Sequence, residues 1–374
     1  MTLILQVVPF LEQTAAQSLA IDRYLMHATQ KAARSREPVL RCSTMAGPSL
    51  RFGRYQRLPA PFFERQAGAA TVEAQRRLTG GRLIPGGEEF LHVSFVMPRA
   101  VEMLPNSFPK PLPPEKVINR YVRGILKGLN RLGARSFYPG RDFLTAQSKK
   151  VGWVSFEVDE AGAVLLECVL AWRQSFAVAA AWLAEAGVDP AGREDLPQET
   201  ECCTLEEAVG RAIPRDELVA AIVHGYAEHY AMQVQEREFN HLEHSYLEVM
   251  RTSTFQEPAW LASSAMSEQP FGSATTPIQF GAFEACVTLH NQRFLKEVKF
   301  SGDFLASAHA IEALSRELRL CPVDWKAIGT ITDRIFSRPN HFILGLGTRR
   351  VIPDTIMRAA AEQRLASSPQ RMEH

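Results

Sequence analysis

A stretch rich in serine, threonine and proline, Arg251–Pro277, shows little helical or strand periodicity. Periodic sequence lies on both sides of it, and 374 residues are too many for one typical hydrophobic core. The stretch therefore predicts a linker or long loop at the start of a second domain. We expect one domain over residues 1–255 and another over residues 256–374.

The first domain carries strand and helix patterns in alternation. Met1–Phe10 is apolar but lacks a basic start and a cleavage site, so it predicts a first strand and not a signal peptide. Gln17–Gln30 is typical of an amphipathic helix. Val151–Val158 and Ala163–Trp172 predict a hairpin that turns at Asp159–Gly162.

Further elements continue this mixture. Glu89–Met97 predicts a strand, and a proline-rich connector follows it. Apolar residues recur at helical spacing from Val117 to Leu129, and Gly133 ends that helix. Arg215–Met232 predicts another helix behind a proline.

The second domain is predicted to begin with a hairpin. Its strands would be Phe280–His290 and Phe294–Phe300, and a Ser-Gly-Asp turn would follow. Helices are expected from about Ser307 to Leu318 and from Asp324 to Phe336. Strands and helices are thus mixed in both domains, which predicts an α+β protein.

Composition excludes several classes of function. The net charge of +1 does not indicate a strongly basic surface for nucleic acid, although it leaves a local basic groove open. No apolar run reaches the length of a membrane span. The six cysteines have no CxxC spacing, which favours buried free thiols in a cytoplasmic protein. Glu238, His241 and His244 share a helical region, but a single Glu-x-x-His favours a solvated face, so no metal ligand is assigned.

The strongest candidate site is the loop Arg76–Arg82, which precedes a strand. Paired glycines let backbone N–H groups approach an anion closely, because no Cβ intervenes. The arginines add fixed positive charge with planar donor forks that suit phosphate or carboxylate. The loop therefore predicts anion binding, against the simpler interpretation of a turn with solvated arginines. Its candidate residues are Arg76, Arg77, Thr79, Gly80, Gly81 and Arg82.

A second candidate lies at the start of the predicted hairpin. Lys150 precedes a strand, where its ammonium could neutralise a carboxylate and a phosphate as they react. Asp142 is a candidate for holding Mg²⁺ or a group on the adenine side of a nucleotide. The alternatives are an exposed surface lysine and an ordinary turn aspartate.

Together these segments resemble the lipoate–protein ligase family, whose fold is shared with biotin–protein ligases and octanoyltransferases. Ala16–Leu25 resembles the family's first helix, with Asp22 at its acidic position. Leu50–Gln56, which contains Arg54, resembles the LGxxQ segment. Arg76–Gly81 resembles the RRxTGG loop. Gly140–Gly152 resembles the segment with the essential lysine, and Leu295–Phe304 resembles the accessory domain with its GDF turn.

The resemblance implies a biotin/lipoyl-ligase-like catalytic domain, with a mixed sheet flanked by helices, and a small α+β accessory domain. It implies that lipoate or octanoate attacks the α-phosphate of ATP, and that a lysine of a lipoyl carrier domain takes the acyl group. Lys150 would contact carboxylate and phosphate oxygens, Gly80 and Gly81 would line the channel, and Arg77 would lie nearby. Mg²⁺ would accompany the nucleotide. The carrier would be of the E2 type or the glycine-cleavage H type.

Two other functions remain open. Arg82 stands where many ligases have a third glycine, and Trp153 stands in a segment that is usually built of small residues. These differences favour a catalytically altered relative that binds acylated carriers as an adaptor. The octanoyltransferase relatives suggest acyl transfer without ATP through a cysteine, but no cysteine lies between Arg131 and Lys150.

Overall fold

The structure is a computed structural model that describes residues 3–31, 37–64, 72–97, 113–191, 193, 196–262 and 271–366. Most of the proline-rich connector, up to residue 112, lies outside the described residues. The described strands are β1 (Leu3–Gln13), β2 (Val39–Met45), β3 (Ser49–Phe52), β4 (Glu73–Arg76), β5 (Ile84–Gly86), β6 (Phe90–Met97), β7 (Ser136–Phe137), β8 (Phe143–Ala146), β9 (Lys149–Val158), β10 (Val164–Ala171), β11 (Met232–Glu236), β12 (Gly272–Ile278), β13 (Gly281–His290), β14 (Phe294–Gly302), β15 (Leu305–Ala306) and β16 (Ile343–Leu344).

Helices lie between these strands along the whole described chain. They are α1 (Ala15–Lys31), α2 (Pro61–Glu64), α3 (Pro114–Tyr121), α4 (Arg123–Arg131), α5 (Val178–Glu185), α6 (Leu205–Val209), α7 (Arg215–His229), α8 (His241–Met250), α9 (Pro258–Leu261), α10 (Ala308–Glu317), α11 (Trp325–Phe336) and α12 (Val351–Ala366). No helix among the described residues is long and apolar enough to span a bilayer.

The first unit is built on an eight-stranded mixed sheet with the order β11-β1-β2-β6-β10-β9-β8-β7. β1 runs parallel to both of its neighbours, whereas β6, β10 and β9 pair antiparallel. A smaller sheet, β4-β3-β5, lies beside it and carries the loop that follows β4. The mixed sheet and its flanking helices confirm the expected α+β architecture.

One face of the large sheet is apolar. Cys42, Val93, Cys168 and Val154 share that face and belong to a buried cluster with side chains of α3, α4 and α7. Helices α4 and α7 approach closely because glycines meet at their crossing. A Cβ on Gly225 would lie 2.2 Å from a carbonyl oxygen of the facing helix. These helices therefore close the face without leaving room for a ligand between them.

The opposite face of the large sheet carries buried polar residues in its middle. At one end, α1 packs on Val39, Val96 and Leu165 in a second apolar cluster. The next row across the strands consists of Arg41, Ser94, Glu167 and Ser155, and we call this row the polar band. All four of its members are buried. The polar band lies next to the loop that follows β4.

The second unit contains the three-stranded antiparallel sheet β12-β13-β14, covered by helices α10, α11 and α12. The expected hairpin is confirmed, and Asn291 and Gln292 at its turn have φ angles of 51° and 58°. The two helices expected after it are also confirmed, and Asp324 caps α11 by accepting from the Ala327 amide at 2.8 Å.

Several expectations need correction. Arg251–Pro277 is not a simple loop, because it contains a π-helical turn at Arg251–Phe255, helix α9 and most of β12. The helix expected at Arg215–Met232 ends at His229, and Met232 begins the edge strand β11. The boundary proposed between residues 255 and 256 stays a prediction. The strands, the first helix and the first-domain hairpin are otherwise confirmed within a few residues.

Candidate functional site

The loop after β4 is held in place by backbone hydrogen bonds to the LGxxQ-like segment. The Arg77 amide donates to the Phe52 carbonyl at 2.8 Å, and the Arg54 amide donates to the Thr79 carbonyl at 2.9 Å. A Cβ on Gly53 would lie 1.9 Å from the Gly81 carbonyl oxygen, so this approach requires glycine. The two sequence motifs therefore form one structural unit.

Arg76 stabilises this unit from within. Its side chain is fully buried, and its Nη1 donates to the carbonyls of Arg54 and Gln56, both at 2.7 Å. Its Nε and Nη2 donate to the Leu261 carbonyl of α9 at 3.0 and 2.6 Å. Burial lowers the pKa of Arg76 to about 10. The expected contact of Arg76 with substrate is not part of this arrangement, because its donors hold backbone carbonyls.

Arg77 points toward the polar band. Its Nη1 donates to Ser155 Oγ at 2.8 Å and to Thr79 Oγ1 at 3.1 Å, and its Nη2 donates to the Arg82 carbonyl at 2.6 Å. The side chain is 1% exposed, and burial lowers its pKa to about 10. Thr79 in turn donates to Glu167 Oε2 in the polar band. Arg77 and Thr79 are thus packed against the sheet.

Arg82 and Asp142 form a partly covered ion pair beside the middle of β9. Arg82 Nε lies 2.9 Å from Asp142 Oδ2, and its guanidinium carbon lies 5.4 Å from the centre of the Trp153 ring. Burial raises the pKa of Asp142, and the Arg82 charge opposes that shift. The second carboxylate oxygen of Asp142 is buried without a hydrogen-bond partner.

Lys150 also lies near Trp153. Its Nζ is 5.7 Å from the centre of that ring and 5.4 Å from the centre of the Phe143 ring. It also lies 2.9 Å from Glu201 Oε2, and its side chain is 20% exposed. The hydrogen bond from Lys150 lowers the pKa of Glu201. Lys150 and Arg82 therefore place two partly exposed cations near one indole ring.

Gly80 and Gly81 contact the second unit. The Gly81 amide donates to the Phe304 carbonyl at 3.0 Å, and Gly81 has a φ of 93°, where other residues are strained. A Cβ on Gly80 would lie 2.4 Å from the same carbonyl oxygen, and a Cβ on Gly81 would lie 3.2 Å from the Leu305 side chain. The glycine pair was expected to line an acyl and phosphate channel, but here it faces Phe304 of the GDF turn and the adjacent Leu305.

Neighbouring residues strengthen this contact. Tyr55 stacks on Phe304 with ring centres 4.6 Å apart, and its hydroxyl donates to the Ala306 carbonyl at 2.8 Å. Gln56 Nε2 donates to Asp303 Oδ1 at 2.7 Å. Arg54, expected to bind adenylate, lies 3.6 Å from Glu312 of α10 and 5.4 Å from the centre of the Trp260 ring. Arg54 therefore lies at the junction of the units.

Sequence reasoning missed the polar band and the pairs that its members form, although Asp22 was assigned to the acidic position of the first helix. Arg51 Nη2 lies 3.2 Å from Glu167 Oε1, and its Nη1 contacts His92 Nδ1. Arg41 lies 2.7 Å from Asp22 Oδ1, and burial raises the pKa of Asp22. The available signal was a glutamate inside an apolar strand, since a charge at the centre of a buried strand requires a partner.

The described residues also bear on two possibilities that the sequence left open, a metal site and a cysteine nucleophile. Within the described ranges, no three His, Cys, Asp or Glu side chains could together hold a metal ion. Cys202 lies beside Lys150 through a backbone bridge, although it is distant in sequence. Burial raises the pKa of the Cys202 thiol to about 12, which disfavours the thiolate that a nucleophile needs. All cysteines in the described residues are free and buried, as expected.

Comparison with solved structures places this arrangement in a known fold. The chain is similar to P. falciparum LipL1 in complex with lipoate, with a TM-score of 0.66 over 96% of this chain and 99% of that chain at 13% identity. It is similar to the bi-partite lipoate protein ligase of Thermoplasma acidophilum, studied with its E2 lipoyl domain, with a TM-score of 0.52 and 14% identity over 72% of this chain and 100% of that chain.

Lipoate-protein ligase A bound with ATP gives a TM-score of 0.51 at 14% identity, covering 70% of this chain and 98% of that chain. The sequence itself matches no protein-family model and no curated protein. The chain therefore has the fold of lipoate–protein ligases, and the expected fold is confirmed. At these identities the likeness shows the fold alone.

Proposed function

We propose that this chain is an ATP-dependent acyl–protein ligase. It would activate a small carboxylic acid as the acyl-adenylate and transfer the acyl group to a lysine of a lipoyl carrier domain. The observation that carries the proposal is the pair of partly exposed cations, Lys150 and Arg82, which both lie near the Trp153 ring beside the Arg77–Gly81 loop. The acid that the resemblance implies is lipoate or octanoate.

The first step needs charge stabilisation more than a protein nucleophile. A carboxylate oxygen attacks the α-phosphorus of ATP, the bond to the β-phosphate oxygen breaks, and pyrophosphate leaves. Both reactants are anionic, so they repel each other as they approach. Lys150 and Arg82 would offset that repulsion, and such groups typically contribute about 10²–10³ in rate. Arg77 would add a third, buried cation behind the loop.

The second step forms an amide. The neutral amine of a carrier lysine attacks the acyl carbonyl of the mixed anhydride, AMP leaves with the bonding electron pair, and the amine gives up a proton. The same cations would stabilise the negative charge that develops on the leaving phosphate. The T. acidophilum enzyme was studied with its E2 lipoyl domain, which supports a carrier of the E2 type here, with an H-type protein as the alternative.

The Asp142 carboxylate fits a role beside Mg²⁺ only in part. Mg²⁺ in nucleotide sites is commonly held by one or two carboxylates together with phosphate oxygens. Asp142 offers one oxygen that has no hydrogen-bond partner, while its other oxygen is paired with Arg82. Asp142 would therefore supply a single ligand, and the ion would neutralise phosphate charge.

The decisive experiment combines purified protein with ATP, Mg²⁺, an acid and several carrier domains. Pyrophosphate release reports the first step, and the mass of the carrier reports the second. The proposal requires both signals with at least one small carboxylic acid. Neither signal with any acid or carrier would overturn it.

A second function is favoured by one observation. The amide of Gly81 is bonded to Phe304, so the loop that would receive phosphate is covered by the second unit. A relative that binds acylated carriers as an adaptor would tolerate this arrangement. Tight carrier binding without pyrophosphate release or carrier acylation would identify that function. Acyl transfer from a thioester donor without ATP would identify the third alternative.

A further inference from the structure

The edge of the large sheet beside Lys150 carries an exposed aromatic ring. Phe137 is 63% exposed, the highest value for any aromatic side chain among the described residues. It lies on β7, which is the last strand of the sheet and pairs with β8. The preceding Ser136 is buried against α4, and its amide donates to Asn130 Oδ1 at 2.5 Å. Successive side chains of a strand alternate between faces, so Phe137 is held on the opposite face of the sheet.

The same face carries Lys150. The strand register places Phe137 opposite Thr145 of β8, and it places Thr145 opposite Lys150 of β9. Residues directly opposite each other share a face, and neighbouring strands are about 4.8 Å apart, so the backbones of Phe137 and Lys150 are roughly 10 Å apart. Phe143 points to this face as well, and the centre of its ring is 5.4 Å from Lys150 Nζ. We call Phe137, Thr145, Phe143 and Lys150 the edge patch.

The exposed charges beside the edge patch are positive. Arg135, Arg141 and Lys149 are exposed. The carboxylate within residues 135–150 belongs to Asp142, which is buried in an ion pair. Within the part of the chain that the structure describes, neither Arg135 nor Lys149 forms an ion pair. These two cations are therefore available to carboxylates of another molecule.

This combination is typical of a protein interface. A single exposed apolar side chain is common on protein surfaces. The edge patch differs, because its exposed ring is bordered by unpaired cations and because it ends at the lysine of the proposed site. Aromatic side chains are enriched among the residues that contribute most to binding, and rim charges select and steer the partner. The surface thus fits an acidic protein with an apolar contact at its centre.

We infer that the edge patch docks the carrier domain, with Phe137 as the apolar contact and with Arg135 and Lys149 facing carboxylates near the carrier lysine. This inference rests on the proposed function, in which that lysine must reach an acyl group near Lys150. Even a small interface of about 600 Å² per partner, if circular, has a radius of roughly 14 Å. A carrier centred on Lys150 would therefore cover Phe137.

The test measures carrier acylation by the unaltered protein and by two variants, Phe137→Ser and Arg135→Glu. The probes are an E2-type lipoyl domain and a glycine-cleavage H protein. Adenylation requires no carrier, so exchange of pyrophosphate into ATP in the presence of the acid is the internal reference. Relative to that reference, Phe137→Ser should raise the KM for the carrier by about tenfold or more, as expected for an aromatic anchor.

Arg135→Glu should raise the KM for the carrier by about threefold to tenfold at low salt. Its effect should shrink as the ionic strength rises from about 0.05 M to about 0.5 M, because salt screens exposed charges. The matched controls lie in the second unit. They are Leu320→Ser, at a 69% exposed site, and Arg319→Glu, at an exposed site. Both controls should keep the KM of the unaltered protein.

Calorimetric titration with each carrier, without ATP, separates this inference from the proposed function. Carrier binding that Phe137→Ser weakens, with no adenylation by the unaltered protein, would overturn the ligase and retain the docking surface. Acylation with an unchanged carrier KM in both variants would overturn the docking surface and retain the ligase.

Two other results would also overturn the inference. The first is a dimer of the unaltered protein that Phe137→Ser dissociates, which would assign the edge patch to a second copy of the chain. The second is the absence of binding to either carrier. If Phe137→Ser fails to fold, the KM of Arg135→Glu and its dependence on salt decide the outcome.

Discussion

The backbone amide of Gly81 donates a hydrogen bond to the carbonyl oxygen of Phe304 at 3.0 Å. The two residues belong to motifs that are more than two hundred positions apart, the RRxTGG-like loop and the GDF turn. Their contact is also crowded, because a Cβ on the adjacent Gly80 would come within 2.4 Å of the same oxygen. The glycines of the loop therefore allow the two units to approach.

A Gly80→Ala substitution should weaken this approach. The added methyl meets a backbone atom that cannot rotate away, and overpacking of this kind typically costs about 1–3 kcal/mol. Gly87→Ala is the matched control, because its Cβ would meet nothing closer than 3.6 Å. Urea unfolding of both variants measures the difference. Equal stability of the two would mean that the contact is not maintained in solution.

Tyr55 should contribute to the same junction through its ring and its hydroxyl. Tyr55→Ala removes the stack on Phe304 and the hydrogen bond to the Ala306 carbonyl, and loss of a large buried aromatic typically costs about 3–5 kcal/mol. Tyr55→Phe keeps the stack and should cost about 1–3 kcal/mol, because it leaves a buried carbonyl unpaired. Tyr246→Ala, at a 49% exposed site, is the control. Thermal or urea unfolding gives the ranking, which a loss in Tyr55→Phe as large as in Tyr55→Ala would contradict.

Substitutions of Lys150 and of its neighbour Lys149 should distinguish a cation that acts in acyl transfer from one that is only exposed at the surface. Lys150→Ala should lower carrier acylation by about 10²–10³. Its effect on the free energy of unfolding should stay within about 1 kcal/mol, since the partly exposed pair with Glu201 is weak. Lys149→Ala, one residue earlier and exposed, should leave acylation unchanged. Undiminished acylation in the Lys150 variant would remove this lysine from the proposed site.

Glu157 should make stability depend on pH. Its Oε1 accepts from the Ala308 amide at 3.0 Å, and burial raises its pKa to about 8, against the opposing charge of Arg54. The folded protein therefore binds this proton more tightly than the unfolded chain. The contribution is fully present below the unfolded pKa of about 4.5 and is lost as the pH rises toward about 8.

Glu157→Gln should flatten this part of the pH profile. The amide keeps an acceptor for Ala308 but cannot ionise, so the variant should gain stability relative to the unaltered protein near the upper end of that range. Glu160→Gln, at an exposed position in the adjacent turn, serves as the control and should keep the original slope. Free energies of unfolding across the range measure both. A parallel slope in the Glu157 variant would assign the dependence to other groups.

Local sequence patterns predicted the elements that local forces decide. The β9–β10 hairpin was predictable because Asp159 and Gly162 supply turn chemistry between alternating apolar runs. The edge strand β11 was not, because Met232–Glu236 is short and pairs with β1 from the opposite end of the first unit. Arg251–Pro277 was misread, since its polar composition hides a strand that is stabilised by α12 and β13.

The candidate site shows the same difference between what local sequence predicts and what depends on contacts between distant residues. The sequence placed Lys150 at the start of a strand and the loop ahead of another, and the structure has both Lys150 and Arg82 near the Trp153 ring, with Asp142 paired to Arg82. Their role in binding or catalysis stays a prediction. The role of Gly80 and Gly81 in contact with Phe304 depends on packing between units, which spacing cannot reveal. Arg76 and Arg77 are adjacent in sequence, but only the structure shows that one holds carbonyls and the other lies against the polar band.

The Glu157–Ala308 hydrogen bond bears on how this chain could be divided. Ser307, the residue that would normally cap α10, makes no side-chain cap, and the first unit supplies the acceptor in its place. Phe342 likewise stacks on Phe156 of the first unit at 4.5 Å. Expressed as two separate polypeptides, the second part would contain a helix without this acceptor at its N-terminus and an uncovered aromatic ring. In a single continuous chain the two units stay joined, so each unit can cover these groups of the other during folding.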